Sequence, residues 1–173
     1  IGKAKKDTLY QLFDNFTLFY FRFIDGNSIK DQQFWSRSIG GNAFNVWSGL
    51  AFERICFQHV EQIKMALGIS GVMSSVYSWV YRPASKEESG VQIDMLIDRN
   101  DGVINLCEIK FSQGKYEIKK KYAEELRQKL AVFQSKTETK KSVFTVMITT
   151  EGLTDNEYVG DIQNEVVVND LFA

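Results

Sequence analysis

The stretch that decides the fold is Val91-Gln92-Ile93-Asp94-Met95-Leu96-Ile97-Asp98-Arg99-Asn100-Asp101-Gly102-Val103-Ile104-Asn105-Leu106-Cys107-Glu108-Ile109-Lys110. Two aliphatic runs flank an Asp-Gly pair, which is a strong signal for a β-hairpin. If the loop is the four residues 99–102, Asp94 lies opposite residue 107; if it is the two-residue turn Asp101-Gly102, Asp94 lies opposite residue 109. Either pairing brings Asp94 beside Glu108. Because side chains alternate along a strand, Glu108 and Lys110 share a face with Leu106 and Ile104.

Two carboxylates and an ammonium therefore converge at the end of otherwise apolar strands. Burying them unpaired would cost on the order of several kcal/mol, so partners are required. A salt bridge from Lys110 to one carboxylate meets part of that need. A hard divalent cation meets the rest, since Mg²⁺ accepts carboxylates, a main-chain carbonyl such as that of Ile109, and water. Lys110 could then hold an attacking water while charge grows on a phosphate. The same residues also fit an ordinary hairpin whose charges face solvent.

Working outward, residues 74–81 and 142–149 have the same strand character, and residues 165–168 form a last short strand with Asn169 capping a final turn. Residues 116–134 read as a helix with Tyr116, Tyr122, Leu126, Leu130 and Phe133 apolar and lysines between them. Upstream, Phe52, Ile55, Cys56, Val60, Ile63 and Leu67 recur at helical spacing, and Gly68 stands where a helix ends. Glu53 then borders that stripe and can face a cleft. His59 and Cys107 read as packing residues.

Nearer the start, residues 8–13 read as a short strand, and residues 16–24 as a very aromatic helix capped by Asp14 or Asn15. Such a helix needs burial by another element or by a further domain. Residues 29–37 form one more short helix before Gly40-Gly41. The order helix, three strands, helix, strand, strand argues for an α/β fold with a mixed sheet and helices on both faces.

At 173 residues the chain is long enough to bury a core without disulfides, and two cysteines outside any CxxC pair point to a reducing compartment. Zinc fingers and disulfide-built secreted scaffolds are excluded. No apolar run of about 18 residues occurs, so no membrane span is expected. The first residues are neither a signal peptide nor an initiator methionine, and a piece of a longer cytoplasmic protein is expected.

The net charge of −1 hides a gradient: residues 110–141 hold 10 Lys/Arg against 4 Asp/Glu, whereas residues 151–173 hold no cations and 6 acids. The basic segment suits phosphate, or is simply a solvated helix face. Lys119, Lys120, Arg127 and Lys129 are expected exposed on it.

Gly49-x-x-Phe52-Glu53, Gln92-Ile93-Asp94 and Glu108-Ile109-Lys110 together resemble the PD-(D/E)xK nuclease core of restriction endonucleases and Holliday-junction resolvases. Ile93 stands where the motif's proline would be. More narrowly, Tyr10-Gln11-Leu12-Phe13-Asp14-Asn15-Phe16-Thr17-Leu18-Phe19-Tyr20 and Trp47-Ser48-Gly49-Leu50-Ala51-Phe52-Glu53-Arg54 resemble the C-terminal region of AAA-like P-loop ATPases, which carry a winged-helix segment before this domain. The resemblance implies a restriction endonuclease-like mixed sheet over residues 41–173. It also implies a helical extension and the end of a winged-helix region over residues 1–40.

It further implies metal ligands at Asp94 and Glu108, with the Ile109 carbonyl, a catalytic lysine at Lys110 and a helix glutamate at Glu53. Mg²⁺ or Mn²⁺ is the implied cofactor and DNA the implied partner; Gln92 and Ser112 flank the site and could contact phosphate or be ordinary polar strand residues, while the basic helix offers Lys119, Lys120 and Arg127 to DNA. A DNA-binding or regulatory module without catalysis is the alternative. A third possibility is a homo-oligomer formed through the aromatic segment 13–23. No phosphate-loop motif Gly-x-x-x-x-Gly-Lys-Ser/Thr occurs, so ATP binding would lie outside this stretch.

Overall fold

A computed structural model describes residues 12–25, 33–83 and 90–173. The backbone divides into two units, one up to Arg54 and one from Ile55 to Ala173.

In the first unit, α1 (Asn15–Phe19) opens at Asp14, whose carboxylate accepts the Thr17 N–H at 2.7 Å, and runs on into a π-helical turn, Tyr20–Ile24. Two further helices follow, α2 (Phe34–Ser38) and α3 (Asn42–Gln58), the last four residues of α3 belonging to the second unit. Phe19 and Phe23 meet Trp35 and Trp47 edge-on, with ring centroids 4.9–5.9 Å apart, the spacing that aromatic quadrupoles favour. Phe13, Phe16 and Phe21 stay exposed. The expected strand over residues 8–13 falls mostly outside the described residues, and Leu12 and Phe13 are not in a strand. The same holds for the start of the helix expected over residues 29–37.

The helix expected from the Phe52 to Leu67 spacing breaks at His59 (φ −115°, ψ 33°) and resumes as α4 (Val60–Ala66). Gly68, at φ +69°, takes the left-handed conformation that closes it, as its position implies. The His59 ring stacks edge-on against Phe172 and its Nδ1 lies 2.8 Å from the Ile55 carbonyl, which makes it a packing residue.

The second unit is built on a five-stranded mixed sheet in the order β1 (Ser74–Tyr81), β2 (Val91–Arg99), β3 (Val103–Lys110), β4 (Ser142–Thr149), β5 (Asn164–Val167). The first three strands are antiparallel neighbours; β3, β4 and β5 are parallel. Antiparallel partners can be joined by a tight turn, but parallel ones need a crossover, here supplied by α5 (Lys120–Thr137) between β3 and β4.

Helix α5 starts four residues later than the apolar pattern suggests. Tyr116 bridges instead to Leu153, taking the Gly152 carbonyl and giving its own to Thr154, and three successive lysines are poor company for the positive end of a helix. The last turn is likewise capped differently from expectation, because Asp170 rather than Asn169 accepts the Val167 N–H, at 2.8 Å.

On the α5 side of the sheet, Val91, Ile93, Leu96, Ile104 and Leu106 pack around Phe133. Ile93 and Leu96 share this face although three residues apart, which a regular strand forbids. The register explains it: β1 Tyr77 pairs with Leu96 and Trp79 with Ile93, so Ser78 alone faces Asp94 and Met95. This is a β-bulge on β2 centred on Asp94.

Phe133 is fully buried and meets Trp79 edge-on at 5.2 Å. Phe133→Ala should therefore lower unfolding stability by about 3–5 kcal/mol, as read from the denaturation midpoint at unchanged slope. A loss below about 1 kcal/mol would mean that α5 is not anchored there.

Candidate functional site: a buried glutamate at the bulged end of a hairpin

The hairpin has neither of the two expected registers. Pairs run Asp98–Ile104, Ile97–Asn105, Leu96–Leu106 and Met95–Cys107. The loop is therefore the three residues 100–102, with Gly102 at φ +87°, a common hairpin connection that ends in a left-handed residue. Lys141 fastens this end, its Nζ donating at 2.6 Å both to Asp98 Oδ1 and to the Arg99 carbonyl. Continued by one residue, the register sets Asp94 against Glu108.

The paired ladder stops just before that point. At the bulge the Asp94 side chain substitutes for main chain, with Oδ2 accepting the Ile109 N–H at 3.0 Å. A bulge re-aims a side chain and ends pairing, and here it does both at one candidate ligand.

Glu108 has no exposed surface. Two donors converge on its Oε2, Lys129 Nζ at 2.6 Å and the Tyr122 hydroxyl at 3.1 Å, and the Lys110 ammonium stands at ion-pair distance, 3.8 Å. Lys110 also lies over the Tyr122 ring, 5.1 Å from its centroid. The second oxygen, Oε1, is buried without a hydrogen-bond partner among the described residues. Burial pushes the Glu108 carboxyl above the usual carboxylate range, the Asp94 charge pushes it further, and Lys129 and Lys110 pull it back. Burial likewise pushes the Tyr122 hydroxyl up, with Glu108 adding to the shift, so Tyr122 acts as a donor.

Asp94, Glu108 and Lys110 are thus brought together, as the hairpin pattern implies. Gln92 is exposed and lines a shallow groove with Gly90, Val91, Glu125, Gln128 and Lys129. Ser112 ties the loop after β3 to the end of β4, its hydroxyl donating to the Gly114 carbonyl and its N–H to Thr150 Oγ1. Lys119 and Lys120 are exposed at the start of α5, whereas Arg127 is held by Asp161, with Nε 2.8 Å from Oδ2. Glu53 is half-buried on α3, in the first unit.

Lys129 departs from expectation: it faces Glu108 rather than solvent. The signal was present in the sequence, since Tyr122, Leu126, Lys129 and Phe133 follow one another at intervals of four, three and four and so lie on one helical stripe. A lysine on a buried stripe requires a buried acid.

Among the described residues no group of three or more His, Cys, Asp or Glu side chains could enclose a metal ion. The residues present nonetheless fit one held by two carboxylates and completed by water and main chain, because Glu108 Oε1 has no donor among the described residues and the Asp94 carboxylate is close enough for its charge to act on Glu108.

No protein-family model matches the chain, and no curated protein matches it. A crystal structure of a protein of unknown function, AF1548, aligns at a TM-score of 0.45 and 13% identity over 68% of this chain. The match spans 64% of that protein, less than two thirds of its length. No described helix is long and apolar enough to cross a membrane.

The raised Glu108 carboxyl links protonation to folding. A raised value in the folded state gives stability that is complete below the ordinary pKa of about 4.3 and is lost as pH rises through the folded value. The melting temperature of the wild type minus that of Glu108→Gln should therefore fall as pH is raised from about 4 to about 8. A pH-independent difference would show that burial does not perturb this carboxyl.

Proposed function

We propose that the chain is a PD-(D/E)xK-type domain that hydrolyses DNA phosphodiesters with Mg²⁺ or Mn²⁺ held by Asp94, Glu108 and the main-chain carbonyl of Ile109. The observation that carries this reading is the convergence of Asp94, Lys110 and a fully buried Glu108 with an orphaned oxygen at the bulged end of one hairpin. When bound, the cation would supply Lewis-acid stabilisation of charge on the phosphate. Within the chain, Asp94 is fixed by the Ile109 N–H and Glu108 by Tyr122. Lys110 keeps about a third of its side chain exposed (30%), so its ammonium can donate to a water or a phosphate oxygen beside the two carboxylates. Gln92, near the start of β2, and Ser112, in the loop after β3, are polar groups flanking these residues in the chain, and Lys119 and Lys120 supply positive charge at the head of α5. The Tyr10 to Tyr20 and Trp47 to Arg54 stretches support placing this domain at the C-terminus of a cytoplasmic AAA-like ATPase.

One observation favours the second reading, a DNA-binding or regulatory module without catalysis: Glu108 already has a cation in Lys129. Cleavage of linear, branched and single-stranded DNA in Mn²⁺ decides between them, since the module would bind without cutting.

Calorimetric titration should show Mn²⁺ binding to the wild type and none to Asp94→Ala; equal binding by both would remove this site. Lys110→Ala should cut the cleavage rate by on the order of 10²–10⁴ while leaving DNA affinity nearly unchanged. Cleavage at the wild-type rate would deny Lys110 a catalytic role.

DNA affinity should fall with salt by about 0.9 log units per phosphate contacted for each log unit of salt. With Arg127 committed to Asp161, Lys119→Glu with Lys120→Glu should flatten that slope by about two units for all sequences alike. An unchanged slope would leave the head of α5 as a solvated helix face.

A further inference from the structure

Lys129 belongs to the buried stripe of α5, where an ammonium is costly, yet two properties of its surroundings pull against each other. It sits 2.6 Å from Glu108 Oε2 with its side chain only 20% exposed, so the carboxylate is already neutralised. The other oxygen of the same carboxylate is buried with no hydrogen-bond partner among the described residues. A carboxylate fully matched to its lysine would have no such orphan. Lys110 does not resolve this, because it approaches Oε2 as well, from 3.8 Å.

There is also somewhere for the ammonium to go. The groove formed by Gly90, Val91, Gln92, Gln128 and Lys129 includes Glu125, an exposed acid one turn before Lys129 on α5 whose other neighbour, the exposed Lys121, stands at 4.0 Å and leaves it room for a second ammonium. Lysine's flexible four-carbon stem can carry its charge from one carboxylate to the other.

We propose that Lys129 is a tethered counter-ion, a positioning residue that neutralises Glu108 while no divalent cation is bound and yields it, swinging toward Glu125, when one binds. The inference rests on the reading of Glu108 as a metal ligand given above. It makes cation binding and the Lys129–Glu108 pair mutually exclusive, so the lysine lowers cation affinity and holds Glu108 in place for the incoming ion. Two positive charges competing for one buried carboxylate are coupled, and removal of one must strengthen the hold on the other.

The test is calorimetric titration of Mn²⁺ into the wild type, Lys129→Gln, Lys129→Arg and Glu125→Gln, with circular dichroism and melting temperature recorded with and without Mn²⁺. Lys129→Gln should bind Mn²⁺ about tenfold more tightly than the wild type, within the usual range of coupling between linked sites. It should also melt lower without Mn²⁺ and recover more on its addition. Lys129→Arg, which keeps the charge, should bind no more tightly than the wild type. Glu125→Gln, an exposed change that leaves the fold intact, should weaken Mn²⁺ binding by removing the acceptor of the released ammonium.

If Lys129→Gln is unfolded by itself, Mn²⁺ must restore its circular dichroism; failure to do so overturns the proposal. Mn²⁺ binding to the wild type with equal or weaker binding to Lys129→Gln overturns the counter-ion role and leaves the metal reading standing. Tightening by Lys129→Arg as well would assign the effect to side-chain shape and also overturns the role. Absence of Mn²⁺ binding in every variant overturns the metal reading itself, and the counter-ion with it.

Discussion

Glu108 has no contact with solvent, and a carboxylate taken that far out of water costs on the order of several kcal/mol unless other groups compensate. Much of the second unit is arranged around that requirement. Lys110 comes from the same face of the same strand, while Tyr122 and Lys129 come from α5, two helical turns apart. Phe133 holds α5 on the sheet one turn further on, against Trp79 and the strand residues of the core. The position of the helix and the charge state of the glutamate are therefore a single problem. If α5 were to slide along the sheet, an apolar side chain would take the place of the ammonium.

The bulge on β2 has a comparable reach. Because Ser78 opposes two residues, Val91 and Ile93 keep their place in the core while the strand is locally out of phase. The extra residue is Asp94 or its neighbour, and the carboxylate takes over a hydrogen bond that main chain would otherwise make to Ile109. A regular strand would keep the sheet intact and leave the Ile109 amide to a backbone carbonyl. The irregularity thus converts a strand residue into a fixed acid beside Glu108.

Much of this was legible in the sequence where the signal is local. The four long strands, the Gly68 stop, the Asp14 cap and the meeting of Asp94, Glu108 and Lys110 each follow from residues a few positions apart. The hairpin register was not legible, because Arg99-Asn100-Asp101-Gly102 suits loops of two, three or four residues, and the choice is made by distant groups such as Lys141. The break at His59 was hidden by an apolar period that runs straight through it. Lys129 was misjudged for a different reason. In a segment with ten cations, charge counting treats each lysine as surface, and only its phase relative to Tyr122, Leu126 and Phe133 separates it from the others.

The three-residue connection between β2 and β3 has a kinetic side. A hairpin with so short a loop closes in about microseconds, whereas pairing of β3 with β4 must wait for the whole crossover to be ordered. Asp94 and Glu108 therefore meet early, as neighbours on a two-stranded ribbon still open to water. Glu108 loses its hydration only when α5 settles onto the sheet, and the same helix brings Lys129. The chain has no stage of assembly at which the acid must be dry and alone, so this polar pair in the interior does not have to stand as a barrier on the route to the fold.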